Sequence, residues 1–197
     1  GERLLPQARN TLAQARQCVD LLREQGPAPF ELTIGTRFEL GLSWLLPGLS
    51  ELSLHRPEQQ IHLWFSEGPA IMEALLRGHI DGLVGSMRLV SSRLSTLPLH
   101  EERYVFVASP ELLKASPIET AADARRHRLI DTNPSFPLFQ YFQDMAPVEP
   151  AWQFESHSYL GAIAAIRRRV IDGAGVAVLP EYFVKPDLLE GRLKTVF

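Results

Sequence analysis

Cysteine occurs once in the 197 residues, at Cys18, so neither a disulfide nor a paired-thiol switch can form within one chain. Long apolar runs are lacking as well. No stretch approaches the roughly 20 residues that cross a bilayer, and residues 1–25 interleave polar with apolar positions where a signal peptide would be continuously apolar. A charge of one sign is also missing: 20 basic against 23 acidic residues leave a net charge of −3, too weak a field to hold a polyanion without specific contacts. The six histidines are scattered without ligand spacing, so no metal and no cofactor are expected. These absences point to a cytoplasmic, globular protein that makes no membrane contact. Its hydrophobic share of 45% allows a substantial core, in one domain or two small ones.

The residues that are present fall into a rod and a repeat. In residues 1–25, Leu5, Ala8, Leu12, Ala15, Val19 and Leu22 alternate steps of three and four, a heptad seam narrow enough to suit a partner helix. The alternative is a helix lying on its own domain. Pro6 marks the start of the regular part, and Gly26-Pro27-Ala28-Pro29 ends it in a semi-stiff hinge, taken as residues 26–30.

From Leu32 onward strand and helix patterns alternate. Leu32 to Gly35 reads as a strand, Thr36 to Glu39 as a polar turn, and Leu42, Leu45, Leu46, Leu49 and Leu52 as one face of a helix. Ile61, Leu63 and Phe65 alternate as a second strand with His62 and Trp64 on its other face. A helix with Ile71, Leu75 and Leu76 ends at Gly78, and 80–85 forms a third strand, which implies parallel pairing. Further extended segments are expected at 97–99, at 104–107, at Leu129-Ile130, at Trp152 to Phe154 and at 176–179. Helices are expected from Thr120 through Arg125, from Leu138 to Met145, and from Tyr159 to Ile171 with Leu160, Ile163, Ala164 and Val170 packed. Asp131 to Ser135 and Ser156 to Ser158 read as polar loops, and Leu188 to Leu193 as a turn before a last strand. Phe139, Tyr141 and Phe142 read as core, and Arg167-Arg168-Arg169 as a solvated face complementing a helix dipole. Two α/β units in series, with polar loops at the strand ends, suggest a clamshell that takes a ligand between its halves.

Five pieces in this order resemble a LysR-type transcriptional regulator: Leu4-Leu5 with Ala8-Arg9; Ile34-Gly35 followed by Leu45-Leu46-Pro47; Arg56-Pro57; Leu76-Arg77-Gly78-His79-Ile80-Asp81; and Gly173-Ala174-Gly175-Val176-Ala177-Val178-Leu179-Pro180. The resemblance implies an α/β protein with two Rossmann-like subdomains of the type 2 periplasmic-binding-protein kind, RD1 at 31–98 and the crossover with RD2 at 99–197. A linker helix at 1–25 precedes them and pairs between subunits into a dimer or tetramer. It also implies a bacterial regulator that touches operator DNA only through a winged helix-turn-helix ahead of Gly1, and that is not an enzyme. The family's crossover strand and last RD1 helix have no counterpart by Phe197, so RD1 is expected either to expose apolar surface or to be incomplete here.

By the same resemblance, a small polar effector meets Thr36, Arg37 and Phe38, Ser66 and Glu67, Ser86, Thr132 and Asn133, Phe136, and Ser156, His157 and Ser158. Arg37 could grip a carboxylate in a two-pronged contact, whereas Glu67 would pair with Arg37 or ask for an ammonium or hydroxyl. Thr36, Ser66 and Ser156 read equally as helix caps. His157 reads as a polar loop residue or a pH sensor. Two other functions compete. A transporter's solute-binding protein has the same fold, and Thr36-Arg37-Phe38 repeats a tripeptide of prephenate dehydratases. In this chain the tripeptide sits at the first strand-to-helix turn instead of late in a catalytic domain.

Overall fold

The computed structural model describes residues 11–15, 18, 29–67, 69–86, 93–145 and 152–196. Of the seam, Leu12 and Ala15 are helical and exposed, as is Cys18, while Leu5, Ala8, Val19 and Leu22 lie outside the described residues. The chain divides into two compact units, Gly1–Thr36 with Pro47–Leu83 and Arg37–Leu46 with Val84–Phe197.

The first unit is built on a three-stranded sheet. Strand β1 (Phe30–Thr36) runs parallel to β2 (Gln59–Phe65), with Leu32 opposite Ile61 and Gly35 opposite Trp64, and β3 (Gly82–Val84) flanks β1 on its other side. The alternation in β2 is as the sequence predicts, with Ile61, Leu63 and Phe65 half-buried and His62 and Trp64 exposed. Helix α1 (Leu46–His55) buries no residue; α2 (Pro69–Leu76) buries Ile71 and Ala74, which meet Ile80 in a small core. Gly78 adopts φ +72, the left-handed conformation that ends a helix.

The five leucines expected on one helix face are not buried together. Leu42 and Leu46 are exposed, and Leu45, Leu49 and Leu52 are half-buried. The physical reason is local: between a helical turn at Phe38–Leu40 and α1, residues Gly41–Leu45 are π-helical, with the Leu46 N–H bonded to the Gly41 carbonyl five residues back. A wider turn shifts every later side chain around the axis, and the three-and-four spacing no longer traces one stripe.

In the second unit, β4 (Tyr104–Ala108) pairs antiparallel with β7 (Ala177–Pro180) and with β8 (Lys194–Thr195), and β5 (Arg128–Asp131) pairs parallel with β6 (Ser156–Tyr159). A parallel bridge from Leu129 to Val176 joins the two groups, giving the order β6, β5, β7, β4, β8. Four helices surround them: α3 (Pro110–Ala115), α4 (Pro137–Met145), α5 (Ile163–Ile171) and α6 (Glu181–Leu189), with a 3-10 turn at Ala121–Arg126 capped reciprocally by Thr120 and Asp123. Phe106 on β4 is the centre of the core, with Phe139, Phe142, Trp152 and Phe154 all within 6.3 Å between ring centroids.

Several expectations need correction. Residues 97–99 form no strand, and Leu97 and Leu99 are exposed. The strand expected at Trp152 to Phe154 begins at Ser156, because the aromatic pair packs on the core while backbone pairing starts with the Glu155 N–H to the His127 carbonyl. Ser156, His157 and Ser158 are therefore strand, not loop. Helix α5 starts at Ile163, Tyr159 belongs to β6, and Ala164 is exposed. Residues 181–189, for which no helix was expected, form α6 despite Pro186 inside it. Tyr141 is exposed and stacks on Tyr104 at 4.6 Å. Arg167 is no solvated cation: its Nε and Nη2 donate to the fully buried Asp187 at 2.5 and 2.7 Å, and Arg192 reaches the same carboxylate at 2.8 Å.

Candidate functional site

The loop after β5 is shaped by Asp131. Its carboxylate is buried, accepting from the Thr132 N–H at 2.6 Å and from the Leu138 and Phe139 N–H groups at 3.4 and 3.0 Å. A carboxylate thus satisfies the first free N–H groups of α4 and complements the positive end of its dipole. Asn133 Oδ1 accepts from the Ser135 N–H and hydroxyl at 3.0 and 2.6 Å, closing a tight turn. The turn leaves Phe136 at φ +51, a conformation that costs a non-glycine residue energy and persists where the surroundings enforce it. Those surroundings are β6: the Phe136 ring lies 4.8 Å from His157 and 5.8 Å from Tyr159.

Thr132, Asn133, Phe136 and His157 thus come together around one strand end in the second unit, with Thr132 half-buried and Asn133 and His157 exposed. Ser158 is half-buried on the other side of β6 from His157, and Ser156 Oγ accepts from Arg128 Nε at 3.1 Å. Neither is a helix cap.

Arg37, Phe38 and Ser86 belong to the same unit. Arg37 Nη2 donates to Ser86 Oγ at 2.6 Å and to Glu102 Oε1 at 3.1 Å, while Phe38 is exposed. Burial is the largest single influence and opposes the charge on Arg37, but Glu102, Tyr104 and Tyr182 together outweigh it and the net shift of the guanidinium pKa is upward. Tyr104 and Tyr182 stand close to the pair. Burial first, and then the Glu102 charge, raises both phenol pKa values, so each remains a neutral hydroxyl.

In the first unit Thr36 is fully buried at the end of β1, with its carbonyl accepting from the Ser66 N–H at 3.1 Å. Arg37, not Thr36, stands at the cap position of the following helix. Ser66 is half-buried and Glu67 exposed. Sequence reasoning overlooked Glu102, Tyr104 and Tyr182; the one available signal was an acidic pair, Glu101-Glu102, separated by Arg103 alone from an apolar strand. A separate concavity of about 230 Å3, lined among others by Arg126, His127, Arg128 and Glu155, lies at the opposite end of β5 from Asp131.

Residues 25–196 match the model of the LysR substrate binding domain. The chain belongs to that family. As a LysR substrate-binding domain it has the mixed α/β, periplasmic-binding-protein-like fold of regulatory domains in LysR-type regulators. One of these is CrgA of Neisseria meningitidis, matched at a TM-score of 0.69 and 21% identity over 99% of this chain and 66% of that one. The effector domain of AmpR of Pseudomonas aeruginosa superimposes at 0.68 with 19% identity, covering 85% of this chain and 78% of that one. Full-length LysG of Corynebacterium glutamicum, solved with its effector Arg bound, matches at 0.62 and 18% identity, covering all of this chain and 64% of that one. Among curated proteins, a glycine cleavage system transcriptional activator homolog of Haemophilus influenzae is 35% identical over 104 residues, half of this chain. The match spans about a third of that relative's length. No helix among the described residues is long and apolar enough to cross a membrane.

Proposed function

We propose that this LysR substrate-binding domain is the effector-sensing and oligomerisation part of a bacterial, cytoplasmic transcription regulator, not an enzyme, and that it recognises a small polar metabolite. The observation that carries the reading is the family match over 25–196, and the loop after β5 fits it. A strained Phe136 held against His157 and Tyr159, beside a polar turn at Thr132 and Asn133 that is ordered by its own hydrogen bonds, is the kind of stored distortion found where ligands bind. Residues 31–98 are assigned as RD1, 99–197 as the crossover with RD2, 26–30 as hinge, and 1–25 as the helix that joins subunits into a dimer or tetramer, with operator DNA contacted through a preceding winged helix-turn-helix. Thr36, Arg37, Phe38, Ser66, Glu67 and Ser86, at the ends of β1, β2 and β3, are assigned to the effector-binding set together with the β5 and β6 residues. Effector binding that favours one arrangement of the regulator by about 1–3 kcal/mol suffices to change its output.

The test is a thermal-shift screen of metabolites against the full-length protein. At a concentration 100 times Kd a true effector stabilises the folded state against unfolding by about 2.7 kcal/mol. One polar metabolite is expected to raise Tm by several degrees, with the rise lost in His157→Ala and Phe136→Ala variants that remain folded. If every stabilising compound acts equally on these variants, the site assignment is wrong.

A further inference from the structure

Arg37 is the residue that the sequence offers most plainly to a ligand carboxylate, yet its charge is already answered from within the chain. Glu102 Oε1 accepts from it at 3.1 Å, and the two side chains are only 24% and 18% exposed, which shields the pair from the screening that weakens surface ion pairs. The rest of the cluster is uncharged or negative. Buried Tyr104 and the half-buried Tyr182 have hydroxyls shut from water beside the Glu102 carboxylate, whose charge both feel, and Glu39 adds a second negative charge near Tyr182. Glu102 Oε2 is likewise shut from water. Stacking on Tyr141 at 4.6 Å fixes the Tyr104 ring.

We infer that Glu102 is a specificity-determining residue: its carboxylate is a resident occupant of the Arg37 guanidinium that turns anionic groups away, so the effector presents an uncharged hydrogen-bonding group here, a hydroxyl or an amide. The inference rests on the reading of Arg37 as part of the effector-binding surface. An incoming carboxylate would face Glu102 as a like charge, and an ammonium would face Arg37. A hydroxyl or amide carries no net charge and meets neither repulsion.

The Glu102 side chain has the carbon count of propionate, Glu102→Ala removes all of it beyond Cβ, and propionate is the probe. In the full-length protein at matched ionic strength, the wild type is expected to respond to sodium propionate no more than to sodium chloride. E102A is expected to show a saturable rise in Tm, a propionate affinity at least tenfold above wild type in calorimetry, and at least tenfold discrimination against propionamide. Adding Arg37→Met should abolish the gain. Glu102→Ser vacates nearly the same space with a polar stub and serves where E102A folds poorly; recovery of the far-UV spectrum of either variant by propionate, and not by chloride, supports the inference. Wild type binding propionate as tightly as E102A would overturn it, as would the absence of a propionate response in both variants. None of these results depends on finding the effector, so a failed metabolite screen and a failed role for Glu102 are told apart.

Discussion

A methyl group added at Gly35 would overlap Ile80 Cδ1 and stand 3.1 Å from Ile71 Cγ1, in the small core of the first unit. Both isoleucines are almost fully buried, so neither can swing into water to make room. Gly35→Ala is expected to cost about 1–3 kcal/mol, the range for an overfilled core, measured as a lower urea midpoint with an unchanged slope. The residue scale is also where the sequence was least legible. Gly35 was readable as part of a strand, but nothing in its neighbours told of the close approach. Glu102 and Asp187 were invisible for the same reason: each owes its role to a cation distant in the chain, Arg37 in one case and Arg167 in the other. Arg37 itself was singled out correctly as a charged residue at a strand end, while the acid that answers it was sought at Glu67.

Elements were read well where apolar side chains alternate and poorly where polar ones do the pairing. Strands β1, β2, β4 and β7 carry enough Val, Leu, Ile and Phe to show their period, and the parallel pairing of β1 with β2 follows. Strand β6 is Ser-His-Ser-Tyr at the sheet's edge, where backbone bonds to β5 hold residues that by composition belong to a turn. Helix α6 was missed because Pro186 argues against a helix interior. It persists because Val184 and Asp187 are buried one turn apart, and Asp187 holds Arg167 from α5 and Arg192 from the loop that follows α6. Helix α4 depends on a residue outside it. Asp131→Ala removes the carboxylate that accepts from the Leu138 and Phe139 N–H groups, leaving them buried without a partner. A loss of about 1–2 kcal/mol is expected, with faster amide exchange in the first turn of α4, and Asp131→Asn should recover part of both.

For the molecule as a whole, two buried groups set how stability changes with acidity. His127 is 2% exposed, and burial, reinforced by Arg126, lowers its pKa below the ordinary value against smaller opposing effects of the Ser116 backbone, Asp123 and Glu155. The unfolded chain therefore takes up a proton at about pH 6.5 while the folded chain does not. Stability should be full above that pH and fall as pH drops from about 6.5 towards the native value. Burial works against the Asp187 charge as well, but the hydrogen bonds from Arg167 and Arg192, with their charges, bring its pKa below the usual carboxylate range. Its contribution is present above about pH 3.9 and is lost as pH falls through the lower native value. Urea melts at pH 7.5 and 5.5 should differ, and His127→Gln should narrow that difference without changing the steeper loss below pH 4. At this scale the sequence was most informative, because the order of five family pieces along the chain carries the α/β fold even where individual boundaries fail.

The π-helical turn at Gly41–Leu45 bears on any helical wheel drawn for this segment. A wheel drawn at about 100° per residue from 38 to 55 assigns the wrong compass point to everything past Leu45, so the two sides of the turn need separate wheels. Removing a single residue there would rewind the segment to ordinary pitch and swing Leu46, Leu49 and Leu52 together to a new bearing.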